Sequence, residues 1–287
     1  MKRAALIQEE LVQIGTIADL ATVFEGIASM EIAKLRDQTL GSKRYFADLW
    51  HVYSQLRVDR GKSKRRHHKP EGDGGNSRTL FVAITSQGGL SGDIDSQVID
   101  AMVKDYVPAT TDVMVVGGHG AQLLAQVRVP IVKEFRMPES TAGFGINVVE
   151  PIIAEAMHYA HTMTYYQTYA SLSKQEVAKV ELIATVKDLH DKRTPEQGEI
   201  ISQREYDFEP SLIEIVEYLE SMMLGVLLSQ VVLESKLSQA ASRFNAMARA
   251  KQKAKEMQVE LRLAYNRSKR SASDERTREI IAVLNRT

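Results

Sequence analysis

An α/β body joined to a long two-helix coiled coil is the fold class this sequence predicts, and three observations carry it. All seven prolines lie between Pro70 and Pro210. The proline-free ends repeat apolar residues in helical steps of three and four. The middle alternates short β-branched runs with helical stretches bounded by turn residues, the pattern of a mostly parallel sheet.

The C-terminal stretch, 211–287, contains a single glycine, Gly225, and no proline. Its seam runs Val226, Gln230, Leu233, Leu237, Ala240, Phe244, Met247, Lys251, Ala254, Gln258, Leu261 and Tyr265, a coiled-coil spacing with polar interruptions. As one helix it would run roughly 115 Å at ~1.5 Å per residue, longer than a compact domain of this size needs. At the other end Ile7, Leu11, Ile14, Ile17 or Ala18, Ala21 and Phe24 form one helical stripe. Gly15, Gly26 and Gly41 weaken that helix by about 1 kcal/mol each without ending it. Two such helices at opposite chain ends pair most simply as an antiparallel coiled coil.

Between them, 79–85 and 111–118 read as strands, as do 129–135 and 177–189, with helices over 93–106 and 148–170. The central part is therefore a Rossmann-like α/β domain. The expected divisions are an N-terminal coiled-coil helix over 1–57, a basic loop over 58–78, the α/β domain over 79–210 and the C-terminal helix over 211–287.

Composition removes several chemistries. The chain of 287 residues has no cysteine, which excludes disulfides, thiolate metal sites and a cysteine nucleophile. Its longest uncharged apolar run, 221–233, is short for a bilayer span, so a soluble cytoplasmic protein is expected. Net charge is zero but segregated. Residues 70–242 hold twelve Lys/Arg against twenty-four Asp/Glu, and residues 243–287 hold twelve against five, a net of +7. Such asymmetry suits different partners at different places.

Candidate chemistry is sparse. The turn after the first strand carries Gly88, Gly89 and Gly92, but neither GxGxxG nor a GK[ST] ending is present. Asp93 and Asp95 follow it, acids that suit a helix N-terminus and repel a phosphate. The GGHG at 117–120 reads likewise as a strand-to-helix turn, with His119 alone. His158 and His161, three apart on the expected helix, lack a third metal ligand. The basic loop has no aromatic residue for base stacking, and the acidic middle would oppose a nucleic-acid backbone. From the residues alone, no cofactor, metal or catalytic site is expected.

Several stretches carry a resemblance. ITSQGGLSGDID at 84–95 resembles the ITSDRGLCGGFN segment of the gamma subunits of F-type ATP synthases, with Ser91 at the cysteine position. Leu233–Met247 is similar to that family's leSxxSExaaRMxAM stretch at Ser235, Ser238, Arg243, Ala246 and Met247. Glu260–Arg270 resembles its xLxLxYNRxRQ stretch at Leu261, Leu263, Tyr265, Asn266 and Arg267, and Lys34, Leu35 and Arg36 match its KLR. Glu209–Ser211 resembles the entry into its long helix. The family's ITxAM on the first helix is replaced by VFEGI, and its Arg-Gln pair by Lys269 and Arg270, as in a divergent member.

The resemblance implies a central-stalk rotor without catalytic residues or cofactors of its own. Its implied partners are an alpha/beta catalytic ring, an epsilon subunit and a membrane c-ring, at the cytoplasmic face of the cell membrane. Ring contacts are expected at Lys269 and Arg270, with Tyr265 and Asn266 beside them, then at Arg243, Lys251, Lys253 and Lys255. Two other classes stay open on the residues alone. One is an α/β nucleotide-binding enzyme with helical extensions, the other a coiled-coil adaptor with a basic nucleic-acid-binding tail.

Overall fold

A computed structural model describes residues 2–55, 76–137, 146–182, 209 and 211–284. Most of the expected basic loop, the second half of the expected 177–189 strand and Pro210 of the resemblance at 209–211 lie outside these residues. The described chain divides into two compact units, Met1–Met30 with Arg243–Thr287, and Glu31–Ser242.

The first unit is built from the outer parts of two helices, α1 (Lys2–Gln55) and the last helix, α5 (Leu212–Leu284). Lys251 of α5 pairs with Glu25 of α1 at 2.8 Å, and Gln258 faces Gly15, so the two helices run antiparallel. Ala18, Ala21 and Ala28 of α1 are buried, as are Met247 and Ala254 of α5. Ile17 is half exposed, so Ala18 holds the seam position that the spacing left open between the two. The small alanines allow the close approach; the polar seam residues Lys251 and Gln258 remain half-buried.

The second unit contains a five-stranded sheet in the order β3-β2-β1-β4-β5. In chain order its elements are β1 (Asn76–Ile84), α2 (Ile94–Asp105), β2 (Thr111–Val116), α3 (Gly118–Gln126), β3 (Lys133–Phe135), α4 (Ile146–Ala156), β4 (Tyr159–Tyr169) and β5 (Gln175–Glu181). β1 pairs parallel with β2 and β4, β2 pairs parallel with β3, and only β5 runs antiparallel, against β4.

Alternation along β1 assigns its faces. Leu80, Val82 and Ile84 join Met114, Val149, Ile152, Met223, Leu228 and Val232 in one core beneath α4 and α5. Phe81 and Ala83 join Val98, Met102, Val115, Leu124 and Tyr165 in a second core beneath α2 and α3. A sheet covered on both faces explains why β1 and β2 read as continuous apolar runs. Arg78 locks the start of β1 to the α2–β2 connection. Its guanidinium meets Asp112 at 2.7 Å and donates to the carbonyls of Pro108, Ala109 and Thr111.

Helices α1 and α5 continue antiparallel in this unit. Leu35 packs with Leu233, Leu237 and Ala240, and Tyr53 donates to Glu220 at 2.8 Å.

Two expectations need correction. The helix expected over 148–170 ends at Ala156, and Tyr159–Tyr169 is a strand. Its composition of Tyr, Thr and His, with Thr162 and Thr164 buried on one face and Tyr165 and Gln167 on the other, suits a pleated surface better than a helix. The third strand is confined to Lys133–Phe135, because Val129–Val132 is taken up by the turn that leaves α3.

By length and apolar composition alone, stretches of both α1 and α5 would be able to cross a bilayer. That departs from the expectation drawn from the uncharged run at 221–233. The α5 stretch is about half buried within the chain, whereas the α1 stretch is mostly uncovered.

Candidate functional site

The turn after β1 is where a phosphate site would form, and both donors of Ser86 in it are already in use. The backbone N–H of Ser86 donates to Asp95 Oδ1 at 3.2 Å, and the Ser86 hydroxyl donates to Asp95 Oδ2. His119 Nδ1 lies 2.8 Å from Asp95 Oδ2. The Asp95 carboxylate, in the first turn of α2, is fully buried and turned to these partners.

The N-terminus of α3 is equally committed. Gly118 N–H donates to Gln87 Oε1 at 3.3 Å, His119 N–H to Ser86 O at 3.1 Å, and Gly120 N–H to Thr85 Oγ1 at 3.1 Å. A groove lined by Gln87, Gln122, Glu134 and Arg136 runs beside this helix without access to those N–H groups as free donors.

The glycines of the two turns serve different ends. Gly88 and Gly89 have open space around them, and the left-handed positions of the first turn are Leu90 and Gly92. In the second turn a side chain is forbidden. A Cβ on Gly117 would stand 2.3 Å from Thr85 O, and one on Gly120 would stand 2.3 Å from Thr85 Oγ1. GGHG is glycine-rich because α3 crosses directly over the end of β1.

Asp95 and His119, read from sequence as a helix-start acid and a lone turn histidine, belong to a buried polar network. Gln167, at the end of β4, donates through Nε2 to Asp95 Oδ1 at 2.8 Å. Its Oε1 accepts from Ser235 Oγ and from Gln239 Nε2, the latter at 3.3 Å, and Gln239 also donates to Ser235 Oγ at 3.0 Å. Further along α5, Ser238 donates to Thr168 O at 3.2 Å and Ser242 to Ser91 O at 2.6 Å. Sequence reasoning missed this constellation. Its one visible signal is the run of uncharged polar residues at 235, 238, 239 and 242, spaced for one helical face among apolar neighbours.

The histidines once considered as a metal pair are separated in kind. His158 lies in the turn before β4, and His161, on β4, reaches Glu181 Oε1 of β5 at 2.8 Å. Among the described residues no group of three or more His, Asp or Glu side chains is placed to hold a metal ion.

All eight residues expected to touch a partner ring lie on α5. Asn266, Lys269 and Arg270 are exposed, as are Lys253 and Lys255, while Tyr265 and Arg243 are half-buried. Lys251 is half-buried and directed to Glu25. The unit formed by the outer helices also exposes apolar side chains. On α1, Leu20, Val23, Ile27 and Met30 lie on the face turned from the buried alanines, and on α5 Val259 and Leu263 are more than half exposed.

Comparison with known proteins accounts for this combination. A family model described as ATP synthase matches residues 4–285. The ATP synthase gamma chain of Clostridium novyi (strain NT) is 24% identical over 265 residues, covering 89% of this chain and 88% of the relative. The ATP synthase gamma chain of Brevibacillus brevis is 25% identical over 278 residues, covering 93% of each. A chain in the cryo-EM structure of Euglena gracilis mitochondrial ATP synthase, comprising OSCP, F1 and c-ring, shares the fold. It matches with a TM-score of 0.69 at 14% identity, over 98% of this chain and 93% of that one. A full-length match of this kind does not favour a separate nucleotide-binding enzyme or a nucleic-acid adaptor. The chain belongs to the ATP synthase gamma chain family.

Proposed function

We propose that this chain is the central-stalk rotor of an F-type ATP synthase, coupling rotation of a membrane c-ring to ATP synthesis or hydrolysis in an alpha/beta ring. In this reading 1–57 and 211–287 supply the coiled coil, 58–78 a basic loop and 79–210 the α/β body. The chain carries no catalysis itself, binds an epsilon subunit beside the c-ring, and works at the cytoplasmic face of the cell membrane as a peripheral component.

The observation that carries the reading is the double-sided apolar character of α1. Val12 and Met30 are 66% and 68% exposed, although the helix already buries a full seam against α5. A helix apolar on both faces calls for an enclosing environment. A bilayer would have to accept Asp19 and Glu25 on α1 and the cations that line α5, at a cost of about 2.5–3.5 kcal/mol for each charge near its centre. An enclosing protein ring accepts both the apolar face and the charges. The excess of cations at 243–287 complements an acidic lever on such a ring, with Lys269 and Arg270 as the principal contacts. Tyr265, Asn266, Arg243, Lys253 and Lys255 line the same helix, and Lys251 acts there through its pair with Glu25.

The test is co-expression with alpha and beta subunits. The reading expects a stable complex with a single copy of this chain per ring, and an isolated chain that hydrolyses no ATP. Recovery of the chain in detergent-solubilised membranes without alpha and beta would contradict it.

A further inference from the structure

Within the unit Glu31–Ser242, α5 meets the rest of the fold through two kinds of contact. Met223, Leu224, Leu228, Val231 and Val232 sit in an apolar core with the sheet. Such contact is non-directional, so by itself it resists turning or sliding of a helix only weakly. From Ser235 onward the buried face becomes polar: Ser235, Ser238, Gln239 and Ser242 are all less than one-tenth exposed, and each is hydrogen-bonded. Hydrogen bonds weaken steeply when bent or stretched. Bonds spaced along two turns of helix therefore fix its azimuth and its axial position together.

Gln167 is the centre of that arrangement. Its carbonyl oxygen holds the helix through Ser235 and Gln239, and its amide nitrogen holds Asp95. Asp95 in turn is held by the Ser86 N–H and by His119, from the ends of β1 and α3. One side chain thus joins α5 to three separate elements of the α/β fold. For stability alone the arrangement is unremarkable, since replacing a bonded polar pair by apolar groups of the same shape is often nearly neutral. What the polar version adds is direction.

We propose that Gln167 is a positioning residue that locks the rotational setting of α5 against the sheet, so that torsional load passes through the Gln167–Ser235–Gln239 hydrogen bonds. The proposal rests on the rotor reading above, and names where a rotor of this build resists slipping. α5 itself runs without a break from Leu212 to Leu284.

The experiment uses the full chain assembled with alpha and beta subunits immobilised on a surface. Because the chain has no cysteine, Lys174→Cys provides one attachment point for a bead on the exposed turn before β5. The variance of bead angle in a nucleotide-stalled complex reports torsional compliance. Gln167→Leu/Ser235→Ala/Gln239→Leu removes the bonds while keeping the volume filled, and is expected to raise that variance about two-fold or more, with ATP hydrolysis by the ring retained. Ser235→Thr keeps the hydroxyl and is expected to match the wild type. Should the triple variant fail to assemble, Ser235→Ala alone is expected to give a smaller rise in the same direction. Variance equal to the wild type in an assembled network variant overturns the proposal while leaving the rotor reading intact. A wild-type complex that assembles but does not rotate overturns the rotor reading, and the proposal with it.

Discussion

Lys251 Nζ and Glu25 Oε2 stand 2.8 Å apart on facing helices, both half-buried, and they mark the register of the antiparallel pair. The pair occupies a seam position where the surrounding residues are alanine and methionine. A polar pair inside an apolar seam selects one alignment over its neighbours. Replacing either residue by alanine is expected to lower stability by about 1 kcal/mol, and a double-mutant cycle should return a coupling of ~0.5–1 kcal/mol. Additive single effects would show that the ion pair does not set the register.

Gly120 lies so close to Thr85 that no side chain fits between them. Gly120→Ala must displace the Thr85 side chain and break its bond to the Gly120 N–H, and is expected to cost about 1–3 kcal/mol. Gly117→Ala meets backbone at a φ of +111° and should cost at least as much. Denaturant midpoints for the two variants, compared with Gly88→Ala as the unhindered control, test the contrast.

Tyr165 is held neutral. Burial of the ring, and then its hydrogen bond to Asp105 at 2.8 Å, push its phenol well above the ordinary 10.0. The folded chain therefore keeps a proton that the unfolded chain releases, so this contribution to stability is full below about pH 10 and is lost as the pH rises beyond it. Thermal melts from pH 8 to 11 should show a smaller alkaline loss in Tyr165→Phe than in the wild type. At neutral pH the same variant should be weaker by about 1 kcal/mol, the value of one hydrogen bond.

Much of this architecture is legible in the residues because it is periodic. The seam from Val226 to Tyr265 follows from side-chain spacing, and the structure buries or half-buries every one of its positions. What escapes is chemistry that depends on elements distant in sequence. Gln167 has meaning only beside Asp95 and Ser235, which stand 72 and 68 residues away. Ser235 and Ser238 stand out in the sequence only as positions of the family resemblance, off the coiled-coil seam, with no partner indicated. β4 was obscured because Val148–Ala156 and Tyr159–Tyr169 adjoin with only a two-residue turn, without a glycine such as those that follow β1 and β2. The glycine turn at 88–92 reads from the residues as a strand-to-helix turn, but the bonds that its Ser86 makes to the buried Asp95 are not visible there.

ATP-driven rotation of a bead fixed to this chain, within an immobilised alpha/beta ring, tests the central claim most directly. Continuous rotation in one direction is expected, and slower rotation with assembly intact when Lys269 and Arg270 are both changed to glutamate. ATP hydrolysis by the assembled ring with the bead at rest would contradict it.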